Sequence, residues 1–106
     1  MKFYTIKNMK RGWFIGDFDP CILRTKDFEI GHHFHVPGSE GEKHYHKIAT
    51  ELNYIVSGKA RVSGHECVTG DFFMYEPNDI ADVQFLEDTH LIVIKWPSAP
   101  ADKYMV

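Results

Sequence analysis

Short apolar runs alternate with closely spaced turn signals along the chain. The runs are rich in aromatic and β-branched residues: Trp13-Phe14-Ile15, Tyr54-Ile55-Val56, Phe72-Phe73-Met74-Tyr75 and Leu91-Ile92-Val93-Ile94. Turn-forming residues separate them at Gly12, Asp19-Pro20, Pro37-Gly38, Ser57-Gly58, Ser63-Gly64, Thr69-Gly70-Asp71, Glu76-Pro77-Asn78-Asp79 and Glu87-Asp88. Many short strands with frequent turns predict an all-β sandwich or barrel. Such folds protect their sheet edges by closure or pairing.

The segment from Lys43 to Val56 fits two patterns. Its apolar residues Tyr45, Ile48, Ala49, Leu52, Ile55 and Val56 fall at helical spacing. Ser39-Glu40-Gly41-Glu42 reads as a capping box ahead of it. Tyr54-Ile55-Val56 before Ser57-Gly58 instead suits a strand ending in a turn. Periodicity leaves the segment open. The end of the chain, Trp96 to Val106, has two prolines and no period, and reads as an extended arm anchored by Trp96, Tyr104 and Met105.

Composition narrows the class. The chain has 106 residues, 43% hydrophobic and 14% aromatic, enough for one domain with a real core and too few for a large multidomain enzyme. A formal charge of -3, with no basic block, gives nucleic acid little electrostatic purchase. No run approaches the roughly 20 apolar residues of a membrane helix, and the start lacks the apolar core of a secretory signal. A cytoplasmic location with no membrane partner is the expectation. Cys21 and Cys67 stand far apart and outside any CxxC pair, so two reduced, partly buried thiols are expected.

Histidine is the outlier. There are seven, five of them between His32 and His46. In His44-Tyr45-His46, residues i and i+2 of a strand share a face at roughly 7 Å. Two imidazoles so placed can converge on one ion, and Glu51, from a following strand, can add an oxygen. Such a nitrogen and oxygen set suits iron, manganese, nickel, zinc or copper. On a helix the set would break up, because His46 would be turned about 200° from His44. The helical and metal readings therefore exclude each other.

Gly38, His44, His46, Glu51 and Gly58, with five, one, four and six residues between them, resemble the first sequence motif of the cupin superfamily. Gly70-Asp71-Phe72-Phe73-Met74-Tyr75-Glu76-Pro77 resembles the start of the second. Together the motifs span residues 38 to about 86. The second departs from the pattern: its proline comes one residue late, Asp79 stands where a glycine is usual, and Asp82 falls at the usual third histidine. The resemblance implies a small double-stranded β-helix, or jelly-roll, over residues 1–106. It also implies a divalent transition metal held by His44, His46 and Glu51, with Asp82 as candidate replacement ligand, and it resolves residues 43–56 in favour of strands. A homodimer is implied as well, with the aromatic segment Gly12 to Phe18 a candidate contact.

His33 and His35 alternate onto one face and are candidate pocket-lining residues, as is Gln84, two residues after Asp82. Tyr54, opposite in phase to Glu51 and Asn53, is expected in the core. The bland alternative for Glu51 is an ordinary ion pair with Lys47 or Lys59. Three functions suit these features. The first is a metal-dependent oxygenase, isomerase or lyase acting on a small molecule. The second is a non-catalytic module binding a small polar ligand such as a sugar. The third is a metal-free sugar-nucleotide isomerase or epimerase using His33, His35 or His46, with Arg24, Arg61, Lys95 and Lys47 as cations for the diphosphate.

Overall fold

Two-residue alternation organises the chain into sheets. The structure is a computed structural model that describes residues 1–39 and 43–106. In chain order the strands are β1 Trp13–Ile15, β2 Glu29–His35, β3 His44–Tyr45, β4 Thr50–Ser57, β5 Lys59–Val62, β6 His65–Val68, β7 Phe72–Tyr75, β8 Val83–Phe85, β9 Thr89–Trp96 and β10 Tyr104–Met105. They form a five-stranded sheet in the order β1-β2-β9-β4-β7, a three-stranded sheet β6-β5-β8 and a two-stranded pair β10-β3. The pairings between these strands are antiparallel. This is the all-β jelly-roll architecture expected from the sequence.

The inner faces follow from alternation. On β9, Thr89, Leu91, Val93 and Lys95 are buried, while the residues between them are only half-buried. Ile55 of β4, Ala60 and Val62 of β5, Tyr75 of β7 and Phe85 of β8 meet Leu91 and Val93 in one core, with Ala81 beside them. Trp13 packs against this core from β1, lying over Gly31 of β2. A Cβ at Gly31 would come within 2.8 Å of the indole, so only glycine lets the ring lie there. Gly58, at φ +118°, makes the tight β4–β5 corner, and a Cβ there would meet Thr89 Oγ1 at 2.4 Å.

Residues 43–56 are not a helix. β3 and β4 are separated by a short connection, because each finds a different partner: β3 pairs with β10, and β4 lies between β9 and β7. The capping-box residues Glu40 to Glu42 lie outside the described residues. Tyr54 does lie opposite Glu51 and Asn53, but on the outer face of the sheet rather than in the core. It is half-buried, and its ring sits 4.6 Å from the exposed Phe72. The inner face of β4 belongs to Glu51, Asn53 and Ile55.

The C-terminal arm packs on the body. β10 pairs with β3, Tyr104 stacks on Tyr45 at 5.6 Å, and the Lys47 ammonium lies 4.1 Å over the Tyr104 ring. Ser98 donates to Glu29 Oε2 and accepts from the Asp17 amide, each at 2.9 Å. The first eight residues are all exposed. Among the described residues no helix is long and apolar enough to cross a membrane.

Candidate metal centre

Three side chains converge where β3 meets β4. His44, His46 and Glu51 each offer a ligand atom, and these atoms lie within 4.8 Å of one another. The imidazoles stand edge to face with centroids 5.2 Å apart. β3 holds them in place from both sides. The carbonyls of His44 and of His46, just after β3, accept from the amides of Ala81 and Asn78, and β10 pairs along the other edge of β3.

His46 is buried and its two nitrogens have distinct roles. Nδ1 bonds to the Asp102 backbone carbonyl, which can only accept, so Nδ1 carries the proton. Nε2 faces Glu51 Oε1 at 3.2 Å. The hydrogen bond to Glu51 raises the His46 pKa; burial opposes it, and the Asp102 carbonyl adds to the rise. Burial alone would raise the Glu51 carboxyl, but hydrogen bonds from His46 and Asn53 hold it below its usual range. Asn53 Nδ2 donates to Oε2 at 3.0 Å and so fixes the carboxylate from its far side. Glu51 therefore pairs with neither Lys47 nor Lys59; Lys59 is taken by Glu66 at 3.0 Å.

Asp102 holds the connection between the two ligand strands. Its buried carboxylate accepts from the amides of Lys47, Ile48 and Ala49 at 2.9, 3.0 and 2.9 Å. Burial raises its pKa, and these three bonds outweigh that and lower it. The sequence carried no sign of this role, since the partners lie 53 to 55 residues away. Below Glu51 runs a second buried charge group. Lys95, opposite Glu51 in the β4–β9 register, donates to Glu29 Oε1 at 2.8 Å with both side chains almost fully buried. Lys95 appeared in the sequence only as a candidate diphosphate cation, and Glu29 not at all.

Asp82 lies apart from the three ligands. Ala81, not Asp82, bridges to His44 and turns into the core. Asp82 carries its carboxylate outward, 3.8 Å from Lys43 Nζ. Gln84 shares that outward face, opposite exposed Arg61 in the β5–β8 register. Asp82, Gln84, Lys43 and Arg61 line a surface cavity of about 240 Å³. The late proline shifts the turn by one residue, and a shift of one exchanges the two faces of a strand.

His33 and His35 point inward. His35 stacks flat on Phe85 at 4.1 Å, and His33 meets Trp13 edge to face at 4.8 Å. His33 Nε2 is buried and has no hydrogen-bond partner among the described residues. Burial, reinforced by the neighbouring His35, lowers its pKa to about 4, so the ring is neutral near pH 7. His32 lies on the outer face and pairs with His90, nitrogen to nitrogen, at 2.9 Å. A larger cleft of about 550 Å³ opens between β6 and β7, lined among others by Cys67, Phe73 and Tyr75. It reaches toward the ligand cluster through Tyr75, which stands opposite Glu51 in the β4–β7 register. Neither cavity is lined by His44, His46 or Glu51.

No protein-family model matches the sequence, and no curated protein matches it. Solved structures do. One is a Klebsiella pneumoniae protein with a double-stranded β-helix domain, at 16% identity and TM-score 0.73, covering 99% of this chain and 91% of that one. Another is KdgF from Halomonas sp., at 23% identity and TM-score 0.68, covering 72% of this chain and 74% of that one. A third is oxalate decarboxylase from Bacillus subtilis, at 19% identity and TM-score 0.69. There the match covers 76% of this chain but only 24% of the enzyme. A fourth is an RmlC-like cupin from Shewanella frigidimarina, at 21% identity and TM-score 0.65, covering 72% of this chain and 71% of that one; the likeness is one of fold, a double-stranded β-helix of the cupin type.

Proposed function

We propose that this chain, a cupin by fold, is a metal-dependent enzyme that acts on a small molecule. The observation that carries the reading is the arrangement of His44, His46 and Glu51. Three ligand atoms lie within 4.8 Å, and the Asp102 carbonyl fixes His46 in the tautomer that presents Nε2 to the cluster. Metal-bound histidines usually have their other ring nitrogen tied in this way. Two imidazoles and one carboxylate suit a first-row divalent ion and leave coordination positions open for water and substrate. Bound there, the ion would supply Lewis acidity toward a substrate oxygen.

The rest of the site prepares that chemistry. The raised pKa of His46 and the lowered pKa of Glu51 make a proton on Nε2 a competitor of the ion. Affinity should then fall as pH falls. Asn53 holds Glu51 in one orientation. The cleft beside Tyr75 is large enough for a small substrate, and His33, within the barrel, stays neutral near pH 7. Among the structural neighbours are other enzymes, including a DMSP lyase from Ruegeria pomeroyi; the match covers 48% of that chain. Oxygenation, isomerisation and lyase reactions remain the candidate classes, with Asp82 a more distant carboxylate beside Lys43.

The test is metal analysis of protein purified without a histidine tag, paired with thermal shifts on adding iron, manganese, nickel or zinc. About one ion per chain, with retention lost in His44→Ala, His46→Ala and Glu51→Ala, is expected. Folded protein that takes up none of these ions, and gains no melting temperature from them, overturns the reading. One observation favours a non-catalytic binding module: Ala81 stands across from His44, so the core contributes no fourth ligand there. Saturable binding of a small polar ligand by metal-free protein, without turnover, would favour that module.

A further inference from the structure

The three-stranded sheet carries charges on its outer face, and one of them is left over. Lys59 and Arg61 of β5 point outward, alternating with buried Ala60 and Val62. Glu66 of β6 stands opposite Arg61 in the register, yet its carboxylate is taken by Lys59 at 3.0 Å. On the other flank of Arg61 is Gln84 of β8, and beyond it Asp82, which Lys43 takes at 3.8 Å. Lys43, Lys59 and Arg61 thus share two carboxylates, and Arg61 has no hydrogen bond or ion pair among the described residues. The sequence offered four cations for a diphosphate, and the other three are engaged. Arg24 bonds to Asp17 and Asp19, Lys47 lies over Tyr104, and Lys95 pairs with Glu29. Arg61 instead lines the cavity of about 240 Å³, together with Lys43, Ser63, Gly64, Asp82 and Gln84. Backbone bonds hold its walls in place. Ser63 and Gly64 form the β5–β6 turn at φ +47° and +84°, the left-handed pair that a two-residue hairpin uses. The Ser63 amide donates to the Asp82 carbonyl at 2.9 Å, and the Ala81 amide to the His44 carbonyl at 2.8 Å. The turn, the entry to β8 and the residue before β3 are therefore fixed against one another.

We infer that this cavity binds the phosphate group of a small phosphorylated molecule. Charge selects an anion, because Lys43 already neutralises the one carboxylate in the cavity and Arg61 is in excess. Geometry selects a tetrahedral one. A planar carboxylate is satisfied by the two parallel bonds of a guanidinium fork. Here donors come from separate elements: the Arg61 guanidinium on β5, the Lys43 ammonium before β3 and the Ser63 hydroxyl on the turn. A phosphate monoester has three terminal oxygens to meet them, and arginine and lysine both suit it. A Cβ at Gly64 would meet nothing within 4 Å, so the turn side is open and the rest of the ligand can leave there. The volume falls below the roughly 300–1,000 Å³ of pockets for drug-sized ligands, which suits a charged group and a small part of what carries it.

None of His44, His46 and Glu51 lines the cavity, so this site and the metal centre stand or fall separately. Calorimetric titration of the metal-free full chain with inorganic phosphate, at low and constant ionic strength, tests it. One phosphate per chain is expected, with a dissociation constant of about 1 mM or tighter. Acetate, the carboxylate probe, should bind at least about 10-fold more weakly. Arg61→Gln changes an exposed side chain, so circular dichroism should stay the same while phosphate binding weakens about 10-fold or more. Asp82→Asn removes the opposing charge and frees Lys43, so it should tighten phosphate binding about threefold or more, where mere disturbance of the cavity would weaken it. Lys26→Gln removes a charge outside the cavity and should leave binding within about twofold. No saturable binding below about 10 mM phosphate overturns the proposal. So does binding that survives Arg61→Gln, falls as far in Lys26→Gln, weakens in Asp82→Asn or is matched by acetate.

Discussion

Replacing Asp102 tests how far the C-terminal arm supports the metal centre. The carboxylate accepts three backbone hydrogen bonds, from Lys47, Ile48 and Ala49, and Ala49 is fully buried. In Asp102→Asn the oxygen can serve the Ile48 and Ala49 amides, but the new amide group then faces the Lys47 N–H, donor against donor. The remaining bonds also lose the charge. A hydrogen bond to a charged group contributes about 1.5–3 kcal/mol and a neutral one about 1, and an unsatisfied buried donor costs about 1–3. The expected loss is therefore about 2–4 kcal/mol for Asp102→Asn and slightly more for Asp102→Ala. For a domain of this size each kcal/mol lowers the melting temperature by roughly 4–8 °C. Urea denaturation followed by circular dichroism measures it, with an unchanged m-value showing that the denatured state is the same. Metal affinity should fall about 10-fold or more in Asp102→Ala, because the arm that ties His46 Nδ1 is loosened. Asp102→Asn within about 0.5 kcal/mol of the native chain, a typical surface-substitution effect, would refute the reasoning.

Other consequences follow from the buried groups. His33 has a pKa of about 4 in the fold and about 6.5 when unfolded, so between those values only the unfolded chain binds the proton. That contribution is fully present above pH 6.5 and is lost as pH falls, by about 3 kcal/mol at pH 4. Denaturation at several pH values should show a flatter acid slope in His33→Leu. Asp102, with its lowered pKa, adds a loss at still lower pH, as the solution falls through its folded value. Lys95→Met strands the Glu29 carboxylate in the interior and should destabilise by about 3–5 kcal/mol, whereas the Glu29→Met/Lys95→Met pair should cost less than the sum of the singles. Asp82→Asn should change metal affinity less than about threefold by calorimetric titration, far below a typical ligand-support effect, because its carboxylate lies beside Lys43.

Residues that depend on local order were legible in the sequence. The apolar runs at Trp13–Ile15 and Phe72–Tyr75 are strands with those bounds, and Leu91–Ile94 lies within β9. Such runs are set by the two-residue period and by turns at glycine. The spacing from His44 through Glu51 to Gly58 likewise picked out the cluster the fold brings together, because two successive strands and the short connection between them hold all of it. Gln84 and Asp82 were correctly placed on one face, but which face depends on a single residue of register at the Pro77 turn.

What the sequence by itself determined is the strand pattern, the fold class and the pair of histidines with their glutamate. Each follows from the alternation and spacing of nearby residues. Only the tertiary structure decided which partners the two strands of residues 43–56 take, β10 for one and β9 with β7 for the other. It alone assigned Asp102 to the loop behind His46 and Lys95 to Glu29 beneath Glu51. Contacts of this kind join residues up to 81 positions apart, as in the bond from the Asp17 amide to Ser98. A one-dimensional period carries no record of such contacts, because the sheet order that creates them is set by packing the whole chain at once.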